Sequence, residues 1–257
     1  MNKKLIKNKK RQKNRKIKDI FNKISYFFEK FLYPDDIKCI FCGKDIPNFY
    51  EKPYCNSCEK SVTFNKNHTC KICALPIKNE AQVCDFCQTQ KRYFKKAFIP
   101  FLYQGKIRES VLSFKFDNRR YLAKGFAVEM AKLLKCENFD FITFVPMTLK
   151  KLKERGFNQA ENLANELSKL LHIPCLETLK KNIETKEQKN LTYMERSKNL
   201  EKAFTVVNKD LVENKKILLV DDIVTTCATV NACACKLSKY TNNIYVSAIA
   251  RNEYHEN

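Results

Sequence analysis

Ile217-Leu-Leu-Val-Asp-Asp-Ile-Val-Thr-Thr-Cys-Ala-Thr229 is the segment on which the reading of this chain turns. Ile217–Val220 is an uninterrupted apolar run, the pattern of a strand buried on both faces. It delivers Asp221 and Asp222 to its carboxyl end, where two adjacent carboxylates can accept hydrogen bonds from a vicinal diol. Thr225, Thr226 and Thr229 then add hydroxyl donors at the opening of a helix expected over Thr226–Leu237. Backbone N–H groups and the helix dipole at such a point favour a phosphate. The segment therefore reads as a phosphate cradle beside a diol site. A strand ending in two aspartates also occurs in metal-binding receiver domains, but the threonine-rich loop argues against that assignment.

The flanking sequence supplies the rest of an α/β domain. Strands are expected at Ala97–Tyr103, Phe141–Val145 and Ile244–Ala250. Helices are expected at Arg120–Leu134 and over a segment whose apolar face is Ala160, Leu163, Ala164, Leu167 and Leu171. Strands and helices alternating at this length imply a parallel sheet covered by helices, with ligands bound outside the carboxyl ends of the strands. Residues 177–199 are polar and lysine-rich and read as a long connection, of the kind that is often functional.

Upstream, Cys39/Cys42, Cys55/Cys58, Cys70/Cys73 and Cys84/Cys87 form four Cys-x-x-Cys pairs. Thiolates at that spacing are metal ligands, and eight of them suit two tetrahedral zinc sites that are closed and structural. Sequential pairing fits the spacing, and an interleaved pairing fits it too. The connecting residues are too polar to build a core, so zinc is expected to contribute on the order of 10 kcal/mol per site. His68 reads as a neighbour of the cysteines. Cys136, Cys175, Cys227, Cys233 and Cys235 lack ligand spacing and read as small buried residues.

The chain has 257 residues and a formal charge of +21, enough for one full domain and one small module. Residues 1–33 hold twelve Lys/Arg against two Asp/Glu. Such an arm favours polyanions, nucleic acid or an anionic lipid surface; a solvated tail accounts for it equally well. Ile17, Ile20, Phe21, Ile24, Phe27, Phe28 and Phe31 mark one amphipathic helical face, closed by Pro34. With no run of eighteen apolar residues and no secretory leader, a cytoplasmic protein without a transmembrane segment is expected. The divisions are 1–34, basic arm and helix; 35–94, double zinc ribbon; and 95–257, the α/β domain.

Ile217–Thr229 resembles the phosphoribosyl pyrophosphate motif of type I phosphoribosyltransferases. The resemblance implies that Asp221 and Asp222 bind the ribose hydroxyls and that Val224, Thr225, Thr226, Cys227, Ala228 and Thr229 bind the 5'-phosphate. The family commonly has glycine where Cys227 stands, and a cysteine at positive φ would be strained. A helix N-terminus could also make Cys227 a reactive thiolate. Phe144–Leu167, with Val145, Pro146, Arg155, Gly156, Phe157, Asn158, Gln159, Ala160 and Leu163, resembles the ComF family, a bacterial branch linked to DNA uptake in competence. Tyr103, Arg108, Lys115, Phe116, Lys180, Thr185, Gln188, Leu191, Arg196, Asn199 and Phe204 fall on the same pattern.

That resemblance implies a type I phosphoribosyltransferase-like sheet behind a zinc module. Arg155 and Gly156, with Lys150, Lys151 and Lys153 nearby, would face the pyrophosphate, Mg2+ would accompany it, and residues 180–199 would form a lid. Asp221, Asp222 and Arg155 are the catalytic candidates for a glycosyltransferase-type reaction whose acceptor is unidentified. The rival is a single-stranded DNA-handling protein with competence or recombination partners, using the basic arm and Phe41, Phe49, Tyr50, Tyr54, Phe64 and Phe86 as stacking faces.

Overall fold

The computed structural model describes residues 38–66, 68–78, 80–182 and 202–253. The basic arm, the amphipathic helix ending at Pro34 and nearly all of the 180–199 lid lie outside the described residues. The first elements are α1 (Asn56–Glu59), α2 (Asp85–Thr89), β1 (Lys96–Phe98), β2 (Phe101–Leu102), α3 (Gly105–Phe116) and α4 (Leu122–Leu134). Next come β3 (Phe141–Phe144), α5 (Leu149–Arg155), α6 (Gln159–Leu171), β4 (Leu179–Lys181) and β5 (Phe204–Val206). The chain continues with α7 (Lys209–Val212), β6 (Lys216–Val224), α8 (Ala228–Leu237) and β7 (Asn243–Arg251).

The main sheet is parallel, in the order β1-β7-β6-β3, with β2 also on β7. β6 is central, and Ile217, Leu218, Leu219 and Val220 are fully buried, which is why this strand is uniformly apolar rather than alternating. It runs past the expected Val220 because β7 is equally long: Ile223 and Val224 pair with Ala250 and Arg251. Helices α4 and α6 pack on each other, and Leu163, Ala164 and Leu167 of α6 are fully buried. Asn158 caps α6 through its side chain, which accepts from the Ala160 N–H and donates to the Val145 carbonyl.

The expected strand over Ala97–Tyr103 is split in two. Pro100 has no N–H for the ladder, so β1 stops before it and β2 resumes after it. The cysteine-rich region covers this edge. Leu102 N–H donates to Thr63 O at 2.9 Å, Asn65 N–H to Pro100 O at 2.8 Å, and Ala97 N–H to Ile72 O at 2.7 Å. An otherwise open row of strand donors is thereby closed off.

Gly125 on α4 marks the second contact with this region. A Cβ there would lie 2.3 Å from Ile40 Cγ2 and 3.3 Å from Pro53 Cβ. Ile40 is itself buried, so it has no space to retreat into. Gly125→Ala is expected to lower Tm by about 2–6 °C, overpacking of 1–3 kcal/mol outweighing roughly 1 kcal/mol of helix propensity. Adding Ile40→Ala should recover stability relative to the sum of the two single changes. Calorimetry of the zinc-loaded proteins checks this, and strictly additive losses would refute the close approach.

Candidate functional site

The eight paired cysteines gather into two tetrads, Cys39/Cys42/Cys55/Cys58 and Cys70/Cys73/Cys84/Cys87, with the sulfurs of each within 4.8 Å of one another. Sequential pairing is therefore the one adopted. Four sulfurs about 2.3 Å from a tetrahedral zinc lie about 3.8 Å apart; Cys42–Cys55 are at 3.7 Å and Cys73–Cys84 at 3.6 Å. The donor sets fit zinc.

The two ribbons repeat one design. Cys39 N–H and Cys70 N–H donate to Lys44 O and Leu75 O, and Gly43 and Ala74 follow in the left-handed region. Cys55 and Cys84 each cap a short helix, α1 and α2. Four thiolates on one Zn2+ leave two negative charges, and cations offset them: Lys106 Nζ is 3.4 Å from Cys58 Sγ, and Arg92 Nε is 3.4 Å from Cys87 Sγ. His68 bonds the Ala81 carbonyl and lies outside both tetrads. Of the remaining cysteines Cys227 and Cys233 are buried as expected, whereas Cys136 is exposed.

At the carboxyl end of β6 the two aspartates fold back onto the chain. Asp221 Oδ1 accepts from Asp222 N–H at 2.8 Å, and Asp222 Oδ1 accepts from Ile223 N–H at 2.6 Å. Lys115 Nζ lies 2.9 Å from Asp222 Oδ2. Burial, and then the neighbouring Asp222 charge, push the Asp221 carboxyl up to about 8, with Lys115 and Lys181 pulling against them. The pair opens onto a cleft of about 210 Å³ lined by Lys115, Lys151, Arg155, Lys181 and Thr229, with Val145–Thr148 and Asn158–Ala160 as its floor and walls. Four cations from three elements, α3, α5 and β4, thus face two carboxylates.

Arg155 lies in this cleft, its Nη1 3.4 Å from Gln159 Oε1 and its guanidinium 5.2 Å from the Phe116 ring centroid. Gly156 does not line it. At φ 78° Gly156 is the left-handed cap of α5, and its carbonyl accepts from Arg120 at 3.0 Å. Of the three nearby lysines Lys151 lines the cleft, while Lys150 and Lys153 are exposed outside it. Lys115 and Lys181 join the cleft as cations that the local sequence pattern does not mark. The i, i+4, i+7 spacing of Ile107, Val111 and Phe114 would have located α3 and hence Lys115, since all three are buried. Lys181 reaches the cleft through the β4–β5 pairing, which has no local sequence signal.

In the loop after β6, Thr225 is exposed, and Thr226 Oγ1 accepts from Ala228 N–H at 3.1 Å. Cys227 has φ 66° and ψ 3°, the left-handed conformation that glycine supplies elsewhere. The loop keeps that geometry at a cost of about 1–2 kcal/mol. The Cys227 side chain is buried, and the neighbouring Cys73 together with that burial pushes its thiol above the ordinary thiol range. Among the six aromatic residues proposed as stacking faces, Phe49 and Tyr54 are buried, Phe41, Phe64 and Phe86 pack on the core, and Tyr50 is exposed. Filling the small module's interior has consumed most of them.

The described chain is thus a parallel sheet flanked by helices, with an acid pair at the end of its central strand and an N-terminal module of two zinc-fitting cysteine tetrads. Residues 28–88 match the double zinc ribbon domain family. The chain is similar to competence protein F of Haemophilus influenzae, with 28% identity over 226 residues, spanning 84% of this chain and 97% of that one. The DNA utilization protein YhgH of Escherichia coli is 26% identical over 188 residues, 68% of this chain and 80% of its own. Among solved structures, adenine phosphoribosyltransferase from Thermoanaerobacter pseudethanolicus matches 61% of this chain and 77% of its own at 18% identity, with a TM-score of 0.34. Among the described residues no helix is long and apolar enough to cross a membrane.

Proposed function

We propose that the cleft binds phosphoribosyl pyrophosphate together with Mg2+ and supports transfer of the phosphoribosyl group to an acceptor. The observation that carries this reading is the Asp221/Asp222 pair facing Lys115, Lys151, Arg155 and Lys181 across one small cleft. The carboxylates would accept hydrogen bonds from the ribose diol and stabilise positive charge developing at the anomeric carbon. As that carbon's bond to pyrophosphate breaks and a bond to the acceptor forms with inversion, Arg155, Lys151 and the travelling Mg2+ would take up the leaving group's charge. The 5'-phosphate would lie on the Thr225–Thr229 loop, replacing the Thr226 oxygen at the Ala228 N–H.

The direct test is calorimetric titration of the zinc-loaded full chain with Mg2+ and phosphoribosyl pyrophosphate. Saturable one-to-one binding is expected, and its absence would refute the proposal. A pH dependence follows from Asp221. Its carboxyl is raised, so the folded protein holds that proton through neutral pH, and a ligand that needs the carboxylate must displace it. Affinity should rise from pH 6 to about 8 and level off above, with proton release visible as a dependence on buffer ionisation heat. Asp222→Asn should move the rise to lower pH by removing the neighbouring charge. Affinity flat across this range would exclude a carboxylate role for Asp221.

A second reading has the chain handle single-stranded DNA with competence or recombination partners. The names of its relatives and the basic residues 1–33 favour it; the burial of the ribbon aromatics shifts the weight onto the arm.

A further inference from the structure

The phosphate loop and the second zinc ribbon are joined through buried contacts. Arg251, the last residue of β7, is 2% exposed. Its Nη1 donates to the carbonyls of Val224 at 3.0 Å and Asn252 at 3.1 Å and to that of Thr225, while Nη2 lies 3.9 Å from Cys73 Sγ. The buried Cys227 side chain, midway along the loop, lies beside Cys73. On the first turn of α8, Asn231 Oδ1 accepts from Tyr93 N–H at 2.9 Å and Nδ2 donates to Lys91 O at 3.1 Å, both on the segment leaving the second ribbon. The start, middle and end of the 224–231 loop are thus each tied to that ribbon.

From these contacts we infer that zinc held by Cys70, Cys73, Cys84 and Cys87 sets the conformation of the Thr225–Thr229 loop, with Cys227 and Arg251 as the positioning residues that carry the coupling. A zinc-bound thiolate at Cys73 is fixed in place and negatively charged, so it accepts both the Cys227 S–H and the Arg251 guanidinium. The S–H bond offsets the left-handed backbone cost at Cys227. Without zinc, Cys73 is free to turn away, Arg251 loses a partner, and the loop is free to leave the left-handed conformation. A glycine at 227 would adopt this backbone at no cost but could not reach the tetrad. By linkage, an anion that selects the same loop conformation should hold the second zinc more tightly; this consequence rests on the phosphate reading proposed above.

The test follows zinc release from the full chain to 4-(2-pyridylazo)resorcinol, with and without ribose 5-phosphate. Wild type, Cys227→Gly, Cys227→Ser and Arg251→Lys are compared after circular dichroism has verified their fold. Loss of such an outer contact to a metal ligand typically weakens metal binding about 10–100-fold. One of the two zinc ions should therefore leave about tenfold faster from Cys227→Gly and faster also from Arg251→Lys, which loses the guanidinium fork, while Cys227→Ser, which keeps a donor, should stay close to wild type. Ribose 5-phosphate should slow that same phase in wild type and not in Cys227→Gly. Unchanged release in both Cys227→Gly and Arg251→Lys would overturn the coupling. Faster release in the variants with no effect of ribose 5-phosphate upholds the coupling and counts against the phosphate site instead.

Discussion

Asp221→Ala/Asp222→Ala protein is expected to bind phosphoribosyl pyrophosphate at least about 100-fold more weakly than wild type while melting at a similar or higher temperature. Hydrogen bonds to charged groups contribute about 1.5–3 kcal/mol each, and losing two of them corresponds to a factor of about 10²–10⁴ in affinity. Stability moves the other way for Asp221. A carboxyl pushed up to about 8 is a group whose charge the fold disfavours, so its contribution is present at acid pH and lost as pH rises toward 8. Removing it relieves that penalty at neutral pH. Against this stands the loss of the Lys115–Asp222 ion pair, which is partly buried; Asp221→Ala alone should therefore be the more stable of the two single variants. Titration calorimetry and thermal melting of the same preparations decide it, and wild-type affinity in the double variant would exclude the pair from ligand binding.

Removing zinc should have the largest effect on the whole molecule. Each structural site contributes on the order of 10 kcal/mol, comparable to the 5–15 kcal/mol by which a domain of this size is stable. The ribbons also close the β1/β2 edge through Thr63, Asn65 and Ile72, so their loss uncovers strand donors and apolar surface together. Chelated protein is expected to aggregate rather than to leave a soluble α/β domain, and Cys39→Ser and Cys70→Ser proteins to hold about one zinc per chain with Tm lowered by more than about 10 °C. Of the two, Cys70→Ser should also weaken ligand binding, because the second tetrad is the one tied to the 224–231 loop. Elemental analysis with light scattering checks the first claim; a chelated chain that stays monomeric with unaltered melting would refute a structural role for the metal.

The two tetrads, the central strand and the acid pair were legible because each is encoded locally: ligand spacing within a few residues, an apolar run, adjacent aspartates. Helix α6 was legible from its 3.6-residue period. Three features were not. Pro100 splits a strand that apolar content alone reads as continuous. Gly156 carries the family pattern as a turn-former at the end of α5, outside the cleft. The ribbon aromatics look like stacking platforms in sequence, yet all of them except Tyr50 are buried or pack on the core, since a module with so few apolar residues has little else to bury.

By itself, then, the sequence determined the α/β class, the two zinc sites as a set of eight ligands, and the strand end that carries the acid pair, all of them consequences of short-range spacing. Only the tertiary structure decided that the cysteines pair sequentially, that Lys115 and Lys181 join Lys151 and Arg155 around the aspartates, and that Cys227 adopts φ 66° against Cys73. The physical reason is distance along the chain. Lys115 and Asp222, or Cys73 and Arg251, are separated by more than a hundred residues, and nothing in either segment's own pattern states that packing of α3 and the ribbon onto the sheet will bring them within bonding range.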